Sequence, residues 1–483
     1  MSKVGRNMLW LLASQLATWA ASLVTVIVAP DLLGSADFGA LSYAQGFVMF
    51  FTLVAGLGTS TLLSRAIARD EELAGPYVWN GIVLKVVLGS ACAVAAVSLA
   101  YALGNRGETL TLIVILSGGM IAHVIGEVAA GALFGLQRMA GVSFWLVIQV
   151  YLQTVLGVLV LVLGGGVVAY GLVLTGSALL PVFAQLWLIA PQVRGHLHLD
   201  RAIWRLLLTG GVPLMALAFF NVIYGTVNVP ILHFIAGEQQ VGWYSLAARW
   251  VGIPVFITTA VSAAYFPEFA KHGRSLSPEF APLVNRAIGI VLLVVTPGAV
   301  GIALVADDLI RLLYSDGEFE RSIVLIRILA IQMPITAMDT LLAHALVASD
   351  RLNRYLAVSA GAAVLNPIAC VVTIQLMQER YGNGAIGTAL VMVATELFVM
   401  FGAWRLRSSG VVDGAVLRHV GRIVLASAAM AAVVLVLRDR HLVVQIAAGA
   451  ATYAIAAPAF GAVSLREIRD VRERVLKRAP SEV

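Results

Sequence analysis

The sequence predicts an all-α integral membrane protein of about fourteen transmembrane helices, with no water-soluble domain of useful size. Of its 483 residues 60% are hydrophobic and only 12% charged, about half the charged share of a soluble protein. Apolar runs of about 20 residues recur from end to end, each long enough to cross ~30 Å of hydrocarbon as a helix. Backbone polar groups must be paired in lipid, which leaves helices or a closed barrel. The runs are too long, and alternate too little, for barrel strands.

The runs place spans near 8–30, 40–63, 79–103, 110–134, 143–163, 168–190, 207–235, 242–266, 287–305, 322–347, 356–377, 385–404, 420–437 and 442–464. Lys3 and Arg6 ahead of the first run imitate a signal peptide, but the run is long for one, and a repeat described below reuses it; it reads as a retained first helix. With the N-terminus inside, 23 of the 32 Lys and Arg fall on cytoplasmic segments and seven outside, leaving Lys85 and Arg249 within helices. This split supports an even number of spans and two cytoplasmic termini. The net charge of +6 is therefore explained by topology and calls for no nucleic acid. In the tail, Leu465, Ile468, Val471 and Val475 lie near helical spacing among six cations, the pattern of an amphipathic helix on an anionic leaflet. Cys92 and Cys370 sit deep in apolar runs, as buried free thiols.

The chain contains itself twice. LLGSADFGALSYAQG at 32–46 and IAGEQQVGWYSLAAR at 235–249 align at an offset of 203, matching Gly34 with Gly237, Gly39 with Gly242, Ser42 with Ser245 and Ala44 with Ala247. Gly171 matches Gly387, and Arg138 matches Arg351, at slightly larger offsets. The repeat divides the chain into six-helix bundles at 1–204 and 205–404, two further helices at 405–464 and a basic cytoplasmic tail at 465–483. Six helices per repeat give both halves the same sense, related by a pseudo-twofold along the membrane normal.

The turn at 32–45, the stretch GLGTSTLLSRAIARDEE (56–72) and the stretch ADDLIRLLYSDGEFERSIVLIRILAI (306–331) resemble the polysaccharide-transporter branch of the MOP exporter superfamily, the Wzx-type flippases. The last stretch looks like the family's short interfacial helix. The resemblance covers essentially the whole chain, and implies a V-shaped, MATE-like twelve-helix core plus two C-terminal helices in the bacterial inner membrane. It implies a flippase that turns an undecaprenyl-diphosphate-linked oligosaccharide from the inner to the outer leaflet by alternating access. The lipid tail stays among membrane lipids, and other glycan assembly proteins are further partners.

Intramembrane polar groups are candidate sites because each is costly there. Lys85 either lines a cavity, pairs between helices or snorkels to the headgroups. Arg249 can hold a diphosphate or sugar acid with a bidentate fork. The lipid II flippases carry an arginine facing the cavity on the same helix, together with a first-helix arginine that this sequence lacks. Gln15, Thr18, Ser22 and Thr25 form a stripe on the first span; Asn221, Tyr224 and Asn228 form another on the seventh. Thr18 and Thr25 align with Asn221 and Asn228 at the 203 offset, so both stripes are candidate sugar-binding surfaces or helix glue. His123 and Glu127, four apart on one face, are a candidate ion-coupling relay; Asp339, His344 and Glu396 are similar. Pro213, Pro230, Pro254 and Pro334 are candidate kinks.

Walker A, HExxH, GxSxG and CxxC motifs are missing, so neither a cofactor, a metal nor catalysis is expected. The alternatives are a lipid II flippase, a multidrug or cation antiporter of the same fold and, remotely, a membrane glycan polymerase or ligase.

Overall fold

A computed structural model describes residues 3–193, 197–314 and 316–463; of these, the side chains of 3–16, 213, 214, 216–218, 221, 255 and 256 are not described. The tail at 465–483 therefore lies outside the described residues, as do the side chains of Gln15, Pro213 and Asn221. Every regular element among the described residues is helical: α1 (Lys3–Gly56), α2 (Thr59–Arg69), a short 3₁₀ turn (Glu71–Leu73), α3 (Ala74–Ala102), α4 (Gly107–Gly135), α5 (Met139–Val162), α6 (Gly166–Val193), α7 (Arg201–Thr226), α8 (Asn228–Ala236), α9 (Glu238–Gly273), α10 (Phe280–Leu313), α11 (Glu320–Ala348), α12 (Leu352–Tyr381), α13 (Ala385–Leu406), α14 (Gly414–Val436) and α15 (Leu442–Ala459). Among the described residues eleven helices are long and apolar enough to span a membrane, and twelve if the bent pair Glu238–Pro254 and Ile257–Gly273 is one span. Counting α1 as two spans and α7 with α8 as one would supply the two that separate twelve from fourteen. Large apolar side chains such as Val94, Val162, Trp187, Val436 and Ile455 stand exposed, where a water-soluble surface would carry charge.

Three local expectations are corrected. The second span is broken: Leu57 (φ 48) and Gly58 (φ 61) are both left-handed and separate α1 from α2. The seventh is interrupted at Val227, between α7 and α8. Residues 306–313 form no separate interfacial helix; they continue α10 to Leu313, and α11 starts at Glu320. Apolar residues at helical spacing carry α10 past the expected end, with Val305, Ala306, Leu309 and Ile310 all buried.

Packing divides the chain into two compact units, Met1–Leu246 with Pro367–Ala385, and Ala247–Asn366 with Ile386–Val483. This division follows packing within the chain, whereas the boundary at 204/205 follows the repeat. In the first unit α2 is central because it is amphipathic. Thr59, Leu63 and Ile67 are buried at four-residue spacing, while Arg65 and Arg69 are exposed. Leu63 and Ile67 join Val78, Leu84, Val128, Ala132, Leu133, Ile189 and Leu207 in one core. Gly131 and Gly135 of α4 admit this close approach, since a Cβ at Gly131 would lie 2.7 Å from the Ser60 carbonyl oxygen; small residues four apart let two backbones meet. Buried Asn80 fixes the α6–α7 link, donating to His198 O at 3.2 Å and accepting from Asp200 N at 2.8 Å. Residues 367–385 belong to this unit through Gln240, which donates to Gln378 Oε1 at 2.8 Å and accepts from Gly384 N at 2.7 Å.

In the second unit α14 packs on α10 through Val305, Met430 and Val434. Gly449 of α15 lies against Val434. Asn285 holds the turn before α14, donating to Gly410 O and accepting from Val412 N, both at 2.8 Å.

The repeat is written into the backbone at three places. Gly34 (φ 76, ψ 172) and Gly237 (φ 85, ψ 175) share one conformation that only glycine adopts readily. Gln137 and Asp350 both have φ 56 and precede the paired arginines. Arg138 N donates to Leu133 O at 2.8 Å and Arg351 N to Leu346 O at 2.9 Å, the same Schellman closure of a helix end. Gly166 (φ 66) and Gly382 (φ 61) open the next turn in each half.

Candidate functional site

The polar residues fall into separate groups, each within one unit. In the first unit the turn at Gly34 brings the following part of α1 across the first turns of α9. A Cβ on Gly39 would lie 1.8 Å from the Glu238 carbonyl oxygen, and one on Gly242 would lie 1.9 Å from the Ser35 carbonyl oxygen. The two contacts exchange with each other under the 203 offset.

Next to this crossing is a cluster that sequence reasoning missed. Tyr43 stacks on His233 with centroids 3.7 Å apart, and its hydroxyl accepts from Asn105 Nδ2 at 3.1 Å. Thr109 donates to Glu238. A cavity of ≈ 270 Å³ opens here, lined by Asn105, Arg106, Thr109, His233, Phe234 and Glu238. These residues lie at helix ends, where hydropathy carries little signal; the local clue was a cluster of polar residues beside two repeat-matched turns.

The stripes on the first and seventh spans are engaged by neighbouring helices. The hydroxyls of Thr25 and Thr154 of α5 are 3.1 Å apart, and Thr154 also donates to Ala21 O at 3.3 Å. Asn228 is completely buried and donates to Tyr244 Oη at 2.6 Å. Thr18 and Tyr224 are half-buried and engaged by neighbouring groups. Thr25 and Asn228 thus hold helices together at the positions where the sequence placed sugar contacts.

Lys85 is fully buried and does not snorkel. Its ammonium donates to the carbonyl oxygens of Ala55, at 2.7 Å, and Gly56, at the end of α1. Glu127 supplies the opposing charge acting on Lys85. Its carboxylate rests 3.3 Å from the position a Gly56 Cβ would take. His123 Nε2 lies 3.8 Å from Glu127 Oε1, with the histidine side chain 60% exposed. The expected His123–Glu127 pair thus lies beside the α1–α2 break that Lys85 also reaches.

The second unit holds a different arrangement. Asp339 of α11 and Glu396 of α13 are 3% and 5% exposed and are near enough to act on each other electrostatically. Gln332 donates to Glu396 Oε1 at 3.2 Å. His344 packs edge-on against Phe266, with ring centroids 5.4 Å apart. Arg249, eleven residues into α9, is half-buried and engaged by neighbouring groups. No group of three or more His, Cys, Asp or Glu suited to a metal occurs among the described residues.

A chain of long apolar helices with buried ionisable groups and glycine-mediated crossings is a multi-pass membrane protein, and its fold is that of the MOP exporters. The solved lipid II flippase MurJ, in an inward closed conformation, superposes with a TM-score of 0.74 over 94% of this chain and 98% of that one, at 15% identity. An inward-facing multidrug resistance MATE family transporter of the MOP superfamily gives 0.60 over 83% and 94%, at 19% identity. A MOP superfamily transporter from Pyrococcus furiosus gives 0.54 over 84% and 95%, at 17%.

The family model described as polysaccharide biosynthesis protein matches residues 4–272, and that described as lipid II flippase MurJ matches residues 142–447. Each match covers more than half of the chain, and the chain belongs to the polysaccharide biosynthesis protein family of the MOP superfamily. The succinoglycan biosynthesis transport protein ExoT of Rhizobium meliloti is 26% identical over 269 residues, 56% of this chain and 54% of that protein. The aligned part thus spans about half the length of this curated relative.

Proposed function

We propose that the protein is a flippase for a polyprenyl-diphosphate-linked oligosaccharide, working by alternating access in the bacterial inner membrane with both termini cytoplasmic. The observation that carries this reading is the polysaccharide-family match across the N-terminal half, joined to similarity with a succinoglycan transport protein. Arg249 counters the diphosphate or an acidic sugar, its guanidinium being suited to bidentate anion contacts. Thr18, Thr25, Tyr224 and Arg249 are half-buried polar groups of the expected set; Thr25 is engaged with Thr154, and the other three are the proposed substrate contacts. Asp339 and Glu396, both buried, are the proposed coupling pair. Lys85, enclosed at a helix end, is left out of the substrate set. The protein transports and does not catalyse.

Lipid II is the second substrate reading, favoured by the MurJ family match over 142–447. Deleting the gene in its native host and profiling polyprenyl-linked intermediates by mass spectrometry separates the two. Accumulated lipid-linked oligosaccharide, normal lipid II and lost surface glycan are the expected result; accumulated lipid II would move the assignment to peptidoglycan. Unchanged lipid pools with new drug sensitivity would replace both with efflux. Complementation with Arg249→Ala should restore membrane insertion but not surface glycan. Full glycan display by that variant removes Arg249 from the substrate path.

A further inference from the structure

The end of α1 poses an electrostatic problem inside the membrane. Leu57 and Gly58, both left-handed, stop the helix within an apolar stretch, and its last carbonyls lose their intrahelical donors. Thr59 Oγ1 donates to Gly56 O at 3.1 Å, one neutral bond for a helix terminus that carries about half a negative charge. Unpaired carbonyls cost several kcal/mol each in a medium without water. The remaining need is met from α3, whose Lys85 brings a buried ammonium to Ala55 O and Gly56 O. Glu127 of α4 lies beside the same helix end, its Oε2 3.3 Å from the position a Gly56 Cβ would take. Two backbone carbonyls of a hydroxyl-capped turn on one small cation, with a carboxylate nearby, are the surroundings of a monovalent-cation site.

We propose that the α1–α2 break is a monovalent-cation site whose resident cation is the ammonium of Lys85 itself. A free ion at such a site binds and leaves with the ion concentration; a tethered ammonium cannot leave. The site therefore keeps its occupant at any ion concentration, and any exchange of ions with the bulk takes place elsewhere. The latter consequence rests on the flippase reading; the site does not, because it is defined by contacts within the fold.

The test is made on purified full-length protein in detergent, following thermal unfolding. Lys85→Ala opens a space the size of a short alkylamine and exposes the two carbonyls and Glu127 to it. Its Tm should fall by several degrees, and n-propylammonium or sodium chloride should restore most of the loss while choline chloride, whose cation is too large, should not. Wild type should respond to none of the three. Lys85→Met fills the space with an apolar chain and should be destabilised without rescue. Lys85→Ala combined with Glu127→Gln should lose most of the rescue. An unrescued Lys85→Ala overturns the proposal, as does equal stabilisation of Lys85→Met or of wild type. Lys85→Ala as stable as wild type overturns it too. None of these readouts uses transport, so failure here is distinguishable from failure of the flippase reading.

Discussion

Gly39→Ala and Gly242→Ala are each expected to abolish recovery of folded protein. A methyl at either site would sit less than 2 Å from a backbone carbonyl oxygen, about half of a van der Waals separation. The clash is with backbone, so rotamer changes cannot relieve it, and the two helices must part. Close crossings of membrane helices depend on small residues at the contact. The check is fluorescence-detected size exclusion of detergent extracts, with Gly118→Ala and Gly252→Ala as controls because nothing lies within 4 Å of a Cβ at either. Monodisperse Gly39→Ala protein at wild-type yield would show that the crossing can open without unfolding.

The second large effect is expected at the carboxyl pair. Asp339→Asn and Glu396→Gln keep the hydrogen-bonding shape but fix the charge that the pair can carry. If the pair loads and releases the coupling proton, each variant should lose about tenfold or more of gradient-driven transport while the fold stays intact. Proteoliposomes loaded with the lipid-linked glycan and given an imposed pH gradient provide the measurement, with unfolding temperature as the control. Wild-type transport in both variants would reduce the pair to a buried polar link between α11 and α13.

Much of the architecture was legible because it rests on a few strong physical requirements. Long apolar runs must become helices in lipid, and the positions of Gly34 and Gly237 required a backbone that the structure then adopted twice. The matched arginines likewise marked a shared helix ending, visible in the left-handed Gln137 and Asp350. The break at Leu57 was not legible, because leucine gives no sign of a left-handed conformation and the apolar run continues through it. Side-chain partnerships were hardest to read. His123–Glu127 followed from spacing on one helix, but Lys85 depended on knowing where a different helix ends. Asp339 and Glu396 lie 57 residues apart on separate helices, a pairing that no local pattern encodes. Thr25 and Asn228 fitted a symmetric stripe, yet a stripe does not say whether it faces a cleft or another helix.

The crossing at Gly39 and Gly242 also bears on how the chain arose. Position 39 meets 238 and position 242 meets 35, so a single shift of 203 carries one contact into the other. That reciprocity is the defining property of an isologous interface, in which the same patch on two identical subunits meets itself. In a dimer of half-length chains one gene would specify both sides, and any substitution at the contact would appear twice. Fusion into one chain removes that coupling and lets each side drift alone. Ser35 and Glu238, which meet the glycines through their backbone, differ in side chain, while the two glycines, whose missing Cβ makes the contact possible, are the same residue in both halves.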